Sequence, residues 1–349
     1  MRPMRGVALV IVLLLLSITV LIAAEIMERL EQDRTRTENA LLMEQGYAYL
    51  LSAEALGMRA LVADRKDDRQ RAEAIDACSE SDWALNIGPM LWDNGIFAVS
   101  IQDLQGRFNL NNLVATKDGE RTRDRLQVER LKRLLRLVLP DANTADPLAE
   151  EAADWIDSNT LVDGLGGAED TEYESYRTGN TPFGDVSELR ALRSATAAMW
   201  RETDDNPLFS RYITVLPEGT RLNVNTAPLE VFQVVIPGIS AEMAAEIDAA
   251  RQQKPFTQVD EVLALPGLSA LTDTAKQELK AALVVNSEYF QVSAQVTVDD
   301  RNMRLVSTVY RPLQGGTLQV VRRDLGAMFS APEGACNPGW VAAEQESGG

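Results

Sequence analysis

The chain has 349 residues, with 34 Lys and Arg against 52 Asp and Glu, a formal net charge of −18, no His, and two Cys, Cys78 and Cys336. Without His there are no His-based triads or general bases, no H-E-x-x-H zinc sites and no His-ligated haem, and two Cys cannot build a four-thiolate zinc site or a standard iron–sulfur site. The acidic excess argues against duplex DNA, where affinity comes from neutralising phosphates, and a hydrophobic share of 45% at this length predicts folded units, two rather than one.

The chain opens MRPMRG and then runs VALVIVLLLLSITVLIAA. Val7 to Ala24 is 18 residues without a charge, just long enough to cross a bilayer as a helix. Arg2 and Arg5 precede it, which keeps the N-terminus cytoplasmic and places the bulk of the chain across the membrane. Three readings compete: a signal peptide cut near Ala24, a plain single-pass anchor, and a basic leader, residues 1–6, cut by a prepilin peptidase between Gly6 and Val7. The sequence that follows favours the third. From Glu25 no Pro intervenes and the first Gly is Gly46, while Ile26, Leu30, Ala40, Leu41, Met43, Ala48, Leu51, Ala55, Leu56 and Leu61 recur at helical spacing. One helix over residues 7–64 is predicted, roughly 80 Å long, with 7–24 spanning the membrane.

An apolar half that continues into an amphipathic half resembles the type IV pilin-like subunits, in which the first half anchors the subunit and later packs into a filament. Such subunits usually carry Glu at the fifth mature position. There the carboxylate neutralises the neighbouring subunit's N-terminal amine across an apolar core, where a lone charge is costly. Here that position is Ile11, which suits a subunit at a filament end.

Residues 66–82 are polar and read as a loop or short helix. From Gly95, GIFAVSIQDLQGRFNLNNL alternates and predicts a hairpin over 95–112 that turns at Leu104–Gly106. Three strands are predicted at 289–298, 303–311 and 318–325, separated by Asp299–Asn302 and Pro312–Gly316. Between these groups, residues 113–285 read as a large all-helical insertion. Its first helix, over 121–140, carries Arg121, Arg123, Arg125, Arg130, Lys132, Arg133 and Arg136, a solvated basic face complementing the acidic segment behind it rather than nucleic acid. In residues 222–283, PGIS (237–240) and PGLS (266–269) resemble the loops of a tandem helix-hairpin-helix. Glu242, Glu246, Asp248, Asp260 and Glu261 stand where a DNA-binding version would be basic, so this is a structural or docking module. The fold class is α+β: a pilin-like long helix on an antiparallel sheet, the head formed by 65–112 and 286–330, with 331–349 a flexible tail.

Residues 141–190 hold 13 acidic and two basic residues. Asp157, Asn159, Asp163, Glu169 and Asp170 fall in a loop with Gly164, Gly166 and Gly167, whose freedom lets the backbone curl and turn carbonyls inward. Hard oxygen ligands on such a loop suit Ca²⁺, although the spacing is not that of an EF-hand; a solvated acidic loop is the alternative. Asp154 and Asp157 also resemble a glycosidase pair, but nothing in the sequence supplies a substrate cleft, and the chain reads as no enzyme.

The combination GRFNLNNL (106–113), DWID (154–157), GAEDTEY (167–173), YRTGN (176–180), DVSELR (185–190) and LNVNTA (222–227) resembles the type II secretion minor pseudopilin K family over nearly the whole sequence. The resemblance implies a pilin-type head interrupted by a helical domain and Ca²⁺ held by the acidic loop. It also implies a non-enzymatic place at the tip of a periplasmic pseudopilus with minor pseudopilins I and J, and contact with minor pseudopilin H, the major pseudopilin and the bacterial inner membrane. Asn159 stands where the family often has Asp. A minor pilin of a type IV pilus or competence system with a ligand-binding tip is the other reading. Cys78 and Cys336 lie outside the cytoplasm in either case, as a disulfide or as two separate thiols.

Overall fold

A computed structural model of the chain describes residues 5–71, 74–78, 81–84, 87–92, 95–139, 141–200, 209–236, 239–299 and 301–325. In chain order the elements are helix α1 (Arg5–Arg71), strands β1 (Ile87–Trp92), β2 (Gly95–Asp103), β3 (Phe108–Asn109), β4 (Val114–Lys117) and β5 (Glu120–Arg123), and helices α2 (Arg125–Val138) and α3 (Ala145–Ile156). They continue with β6 (Ile213–Thr214), β7 (Leu222–Asn223), α4 (Leu229–Val235), α5 (Ala241–Gln253), α6 (Val259–Leu263), α7 (Pro266–Ser269), α8 (Asp273–Ala282), β8 (Leu283–Val284), β9 (Tyr289–Val298), β10 (Arg301–Tyr310) and β11 (Gln319–Leu325). The predicted tail 331–349 and Cys336 lie outside the described residues. Cys78 is partly buried, its sulfur 3.8 Å from the Asn225 carbonyl oxygen.

Helix α1 has two environments. Residues 9–38 are exposed along their whole length, including the apolar run, and the helix is long and apolar enough to cross a membrane. From Gly46 onward one face packs on the sheet through Leu50, Ala53, Glu54, Gly57, Leu61 and Asp64. Gly57 sets how close the helix comes: a Cβ there would lie 2.7 Å from Val292 Cγ1 and 3.1 Å from Val99 Cγ1. The buried face is offset from the predicted stripe; Leu41, Met43, Ala48 and Ala55 are exposed. The helix also runs past the predicted residue 64 to Arg71, into residues whose polar composition predicts a loop or short helix. Beyond Asp64, residues 65–70 are half-buried or exposed, so charged helix formers are accommodated there, and Asp64 is fixed by an ion pair to Arg311 at 2.7 Å.

The head sheet is antiparallel, in the order β1-β2-β9-β10-β11. Phe97, Val99, Ile101, Phe290, Val292, Ala294, Val296 and Leu305 form its core with α1 and the indole of Trp83. The register of β2 and β9 pairs Asp103 with Phe290, so the chain leaves the head and returns to it at neighbouring points. This is why some 180 residues fit between two adjacent strands: their ends are already close, and loop-closure cost rises only slowly with length.

The predicted hairpin over 95–112 does not form. Residues 95–103 pair with β1 and β9, whereas Phe108 and Asn109 pair in parallel with Ile213 and Thr214 and join the core of the insertion. The side chains of GRFNLNNL prefer a polar partner outside the sheet: Asn111 donates to the Phe183 and Leu216 carbonyls and accepts from Phe183 N, and Asn109 accepts from Leu216 N. The insertion is not all-helical either. It contains the hairpin β4–β5 and two parallel two-residue ladders, β3–β6 and β7–β8. The first helix starts at Arg125, after Asp124 caps it by accepting from Leu126 N and Gln127 N. Of the basic face, Arg130 is buried rather than solvated. PGLS is a one-turn helix, α7, with Pro at its first position, not an open loop.

Candidate metal centre

The acidic loop begins where α3 ends. Helix α3 packs against α2 through a stripe of small residues and Ile156, and stops at Asp157, whose backbone is extended. Its last turn has no basic residue and carries Asp154 and Asp157. Carboxylates at a helix C-terminus face the negative end of the helix dipole, so this placement is unfavourable unless a cation or a proton answers the charge.

The loop then folds back over that helix end. Gly164 and Gly166 have φ of +80° and +104°, a left-handed conformation that glycine adopts freely. The fold-back brings Asp163 to Asp154 and Asp157, so that one carboxylate oxygen from each of the three lies within 4.8 Å of the others. Asp154 and Asp157 are fully buried, Asp163 is exposed, and Glu169 is 1% exposed. Neither Asp154 oxygen accepts a hydrogen bond of normal geometry, and Glu169 Oε1 is likewise buried without a partner.

The electrostatics match. Burial pushes Asp154 up to about 7, with Asp157 and Glu169 adding to the rise against the opposing Arg123. Burial also pushes Glu169 up to about 7, and Asp157 and Asp170 add to it. Asp157 rises to about 6, from burial first and Asp163 next, with Asn159 and Arg123 opposing. Arg123 approaches the site, 3.6 Å from Asp154 Oδ1, but it also pairs with Glu150 and donates to the Asp163 carbonyl at 2.8 Å. One guanidinium shared among these groups leaves a net negative, desolvated cluster.

The residues fit a hard divalent cation. Ca²⁺ binds oxygens at about 2.3–2.6 Å, so two ligand oxygens on one ion lie at most about 5 Å apart, and the cluster meets that limit without rearrangement. Its orphaned oxygens are free to face an ion, with Arg123 at 3.6 Å the nearest competing charge.

Of the five residues singled out in the sequence, the structure brings Asp157 and Asp163 together and sets Glu169 beside them. Asn159 is adjacent but occupied: its Oδ1 accepts from Leu161 N at 2.7 Å and its Nδ2 donates to Asp157 Oδ2 at 2.7 Å. Asp170 lies outside the three-carboxylate group and is occupied at one oxygen: its Oδ1 accepts from Thr178 N at 3.0 Å and from Thr178 Oγ1 at 2.8 Å, a hydroxyl that also lies 2.9 Å from Glu169 Oε2. Asp154 was not among the expected ligands. Its signal is the D-x-x-D spacing, which sets Asp154 in the last turn of α3 and Asp157 at its C-cap, a pair the sequence offers only as a resemblance to a glycosidase pair.

The family model for the type II secretion system (T2SS), protein K, matches residues 106–218 and 222–286. Type II secretion system protein K of Pseudomonas aeruginosa is 32% identical over 331 residues, covering 93% of this chain and 94% of the relative. The protein of the same description from Aeromonas hydrophila is 29% identical over 348 residues, covering 93% and 98%. Among solved structures, one polypeptide of the GspK-GspI-GspJ complex from the enterotoxigenic Escherichia coli type 2 secretion system superposes with a TM-score of 0.67 at 26% identity, covering 83% of this chain and 99% of that one.

Proposed function

This chain belongs to the type II secretion system protein K family and is a minor pseudopilin of that system, and we propose that it is the tip subunit that helps initiate and cap the periplasmic pseudopilus. The observation that carries this is the combination of an exposed apolar half-helix with Ile11 at the position where filament subunits place a charge-neutralising Glu. The insertion supports an end position as well. It has its own core, larger than that of the head, and would stand against the next subunit in a stacked filament.

In this reading prepilin peptidase cuts between Gly6 and Val7, residues 7–24 cross the inner membrane once with the N-terminus cytoplasmic, and the head is periplasmic. Minor pseudopilins I and J are its immediate partners, by likeness to the GspK-GspI-GspJ complex, with H and the major pseudopilin beyond them. The family favours a secretion tip over a type IV pilus or competence tip. No substrate is turned over; the role is structural. Asp154, Asp157 and Asp163 hold Ca²⁺, with Glu169 Oε1 joining the shell, and Asn159 and Asp170 hold the loop in place. Bound there, the ion supplies positive charge that cancels the repulsion between buried carboxylates and orders residues 157–170.

The test is co-purification from detergent-solubilised membranes with tagged minor pseudopilins I and J. A stable ternary complex is expected, together with loss of pseudopilus assembly when this subunit is deleted. Recovery of the subunit evenly along isolated pseudopili, rather than at one end, would overturn the tip assignment.

A further inference from the structure

A pocket of about 390 Å³ opens between the start of α2, the end of α8 and the loop at 217–222, and none of the carboxylates of the candidate metal centre lines it. Arg130 lines it from α2. Its side chain is 3% exposed, its Nε is buried without a partner, and no hydrogen bond or ion pair engages its guanidinium among the described residues. A buried, unpaired arginine costs several kcal/mol unless something answers its charge. Burial lowers its pKa, helped by Arg133, and Asp124 and Glu278 only partly oppose this.

Two of the three acids nearby are already committed. Asp124 Oδ1 accepts from Leu126 N at 2.9 Å and Gln127 N at 3.1 Å, and Glu218 accepts from Thr116 N at 2.7 Å and from its hydroxyl. Glu278 is exposed and makes no hydrogen bond or ion pair among the described residues. The lining therefore holds three arginines, Arg107, Arg130 and Arg221, against three acids. The lining is neutral overall: Arg130, without an ion-pair partner among the described residues, answers one negative charge, and the three acids oppose a ligand that brings more, which disfavours phosphate and nucleic acid. Phe108, Leu222 and Val235 give the pocket an apolar wall, and its volume exceeds what a bare small anion fills.

We propose that this pocket binds a monocarboxylate carried by a peptide, either its C-terminal carboxylate or an acidic side group, with Arg130 as the anchoring cation. Gln127 lines the same pocket beside it with a side-chain amide that has no partner among the described residues.

The test is calorimetric titration of the full-length protein in detergent with four probes: N-acetylglycine, N-acetyl-aspartic acid α-amide, neutral N-acetylglycinamide and inorganic phosphate. At least one of the two carboxylates should bind saturably, and whichever binds more tightly identifies the source as terminus or side group. Arg130→Gln should weaken that binding about tenfold or more, the loss of a charged hydrogen-bond donor, while still unfolding cooperatively. Glu278→Gln should tighten it by about two- to fivefold by removing a like charge. Equal binding of the neutral amide, tighter binding of phosphate than of both carboxylates, no saturable binding, or an unchanged affinity in Arg130→Gln would each overturn the proposal. Should Arg130→Gln fail to fold, the Glu278→Gln titration decides: an affinity that does not rise overturns it.

Discussion

Gly167 closes the acidic loop directly over Asp154. A Cβ at residue 167 would overlap Asp154 Oδ2 and lie 2.6 Å from the Asp163 carbonyl oxygen. The absence of a side chain at one loop position thus allows the third carboxylate to reach the two at the end of α3. Gly167→Ala should push the loop off the helix end, and it tests the closure independently of any change in charge.

Calcium is expected to raise the melting temperature of the protein and a chelator to lower it. At about a hundredfold excess over the dissociation constant the gain is about 3 kcal/mol, or about 5–10 °C for a unit the size of the insertion. Asp154→Asn and Gly167→Ala should each abolish most of the shift, and Glu174→Ala, at an exposed position, should leave it intact. In chelator, Asp154→Asn should melt no lower than the parent, because it removes a buried repulsion. A calcium shift that survives Asp154→Asn at full size would remove this residue from the ligand set.

The same carboxylates predict a pH dependence whose sign reverses with the metal. Asp154 and Glu169 are raised to about 7 and Asp157 to about 6, against about 4 in the unfolded state. The folded, metal-free protein therefore holds these protons more tightly. Its stability from them is fully present below about pH 4 and is lost as pH rises through 6–7. Calcium needs the deprotonated forms, so its stabilising increment grows over that window. Thermal melts at about pH 5.5 and about pH 8 should show the chelated protein melting higher at the lower pH and the calcium increment larger at the higher one. An increment equal at both would count against ligation by these groups.

Asn223 ties the insertion to the head. Its Nδ2 lies 2.9 Å from Asp103 Oδ2, 2.9 Å from Ser287 Oγ and 3.0 Å from the Asp76 carbonyl, and its Oδ1 accepts from Asn225 N. Asp103 Oδ2 also accepts from Thr226 Oγ1 and Ser287 Oγ, each at 2.6 Å. Asn223→Ala strips a donor from a buried carboxylate and should cost about 2–4 kcal/mol. Limited proteolysis should then cut near residues 104–107 or 285–288 before the head sheet, which a uniformly destabilised protein would not do.

Processing is tested by sequencing the mature N-terminus, which should begin VALVIV. Gly6→Val should leave the precursor uncut in membranes while the anchor still inserts. A mature protein starting at Glu25 would replace the leader with an ordinary signal peptide and remove the filament role of the apolar half-helix.

The sequence by itself determined the long helix, the strands at 289–325, the existence of a large insertion and the family. Each of these rests on periodicity or on motifs local in the chain. Asp157 and Asp163 were legible for the same reason, as clustered carboxylates flanking a Gly-rich turn. Only tertiary structure decided the rest. Whether Phe108 and Asn109 continue the head sheet depends on a partner more than 100 residues away, Ile213 and Thr214. The loop could not reveal Asp154 as a member of the cluster, since what singles it out is burial of both its oxygens without a hydrogen bond, Arg123 standing 3.6 Å away. Nor could the basic pattern of α2 show which arginine is buried; Arg130 is singled out by its packing at the pocket wall. Charge and spacing are properties of the sequence, whereas desolvation is a property of what folds over it, and at both sites desolvation does most to set the chemistry.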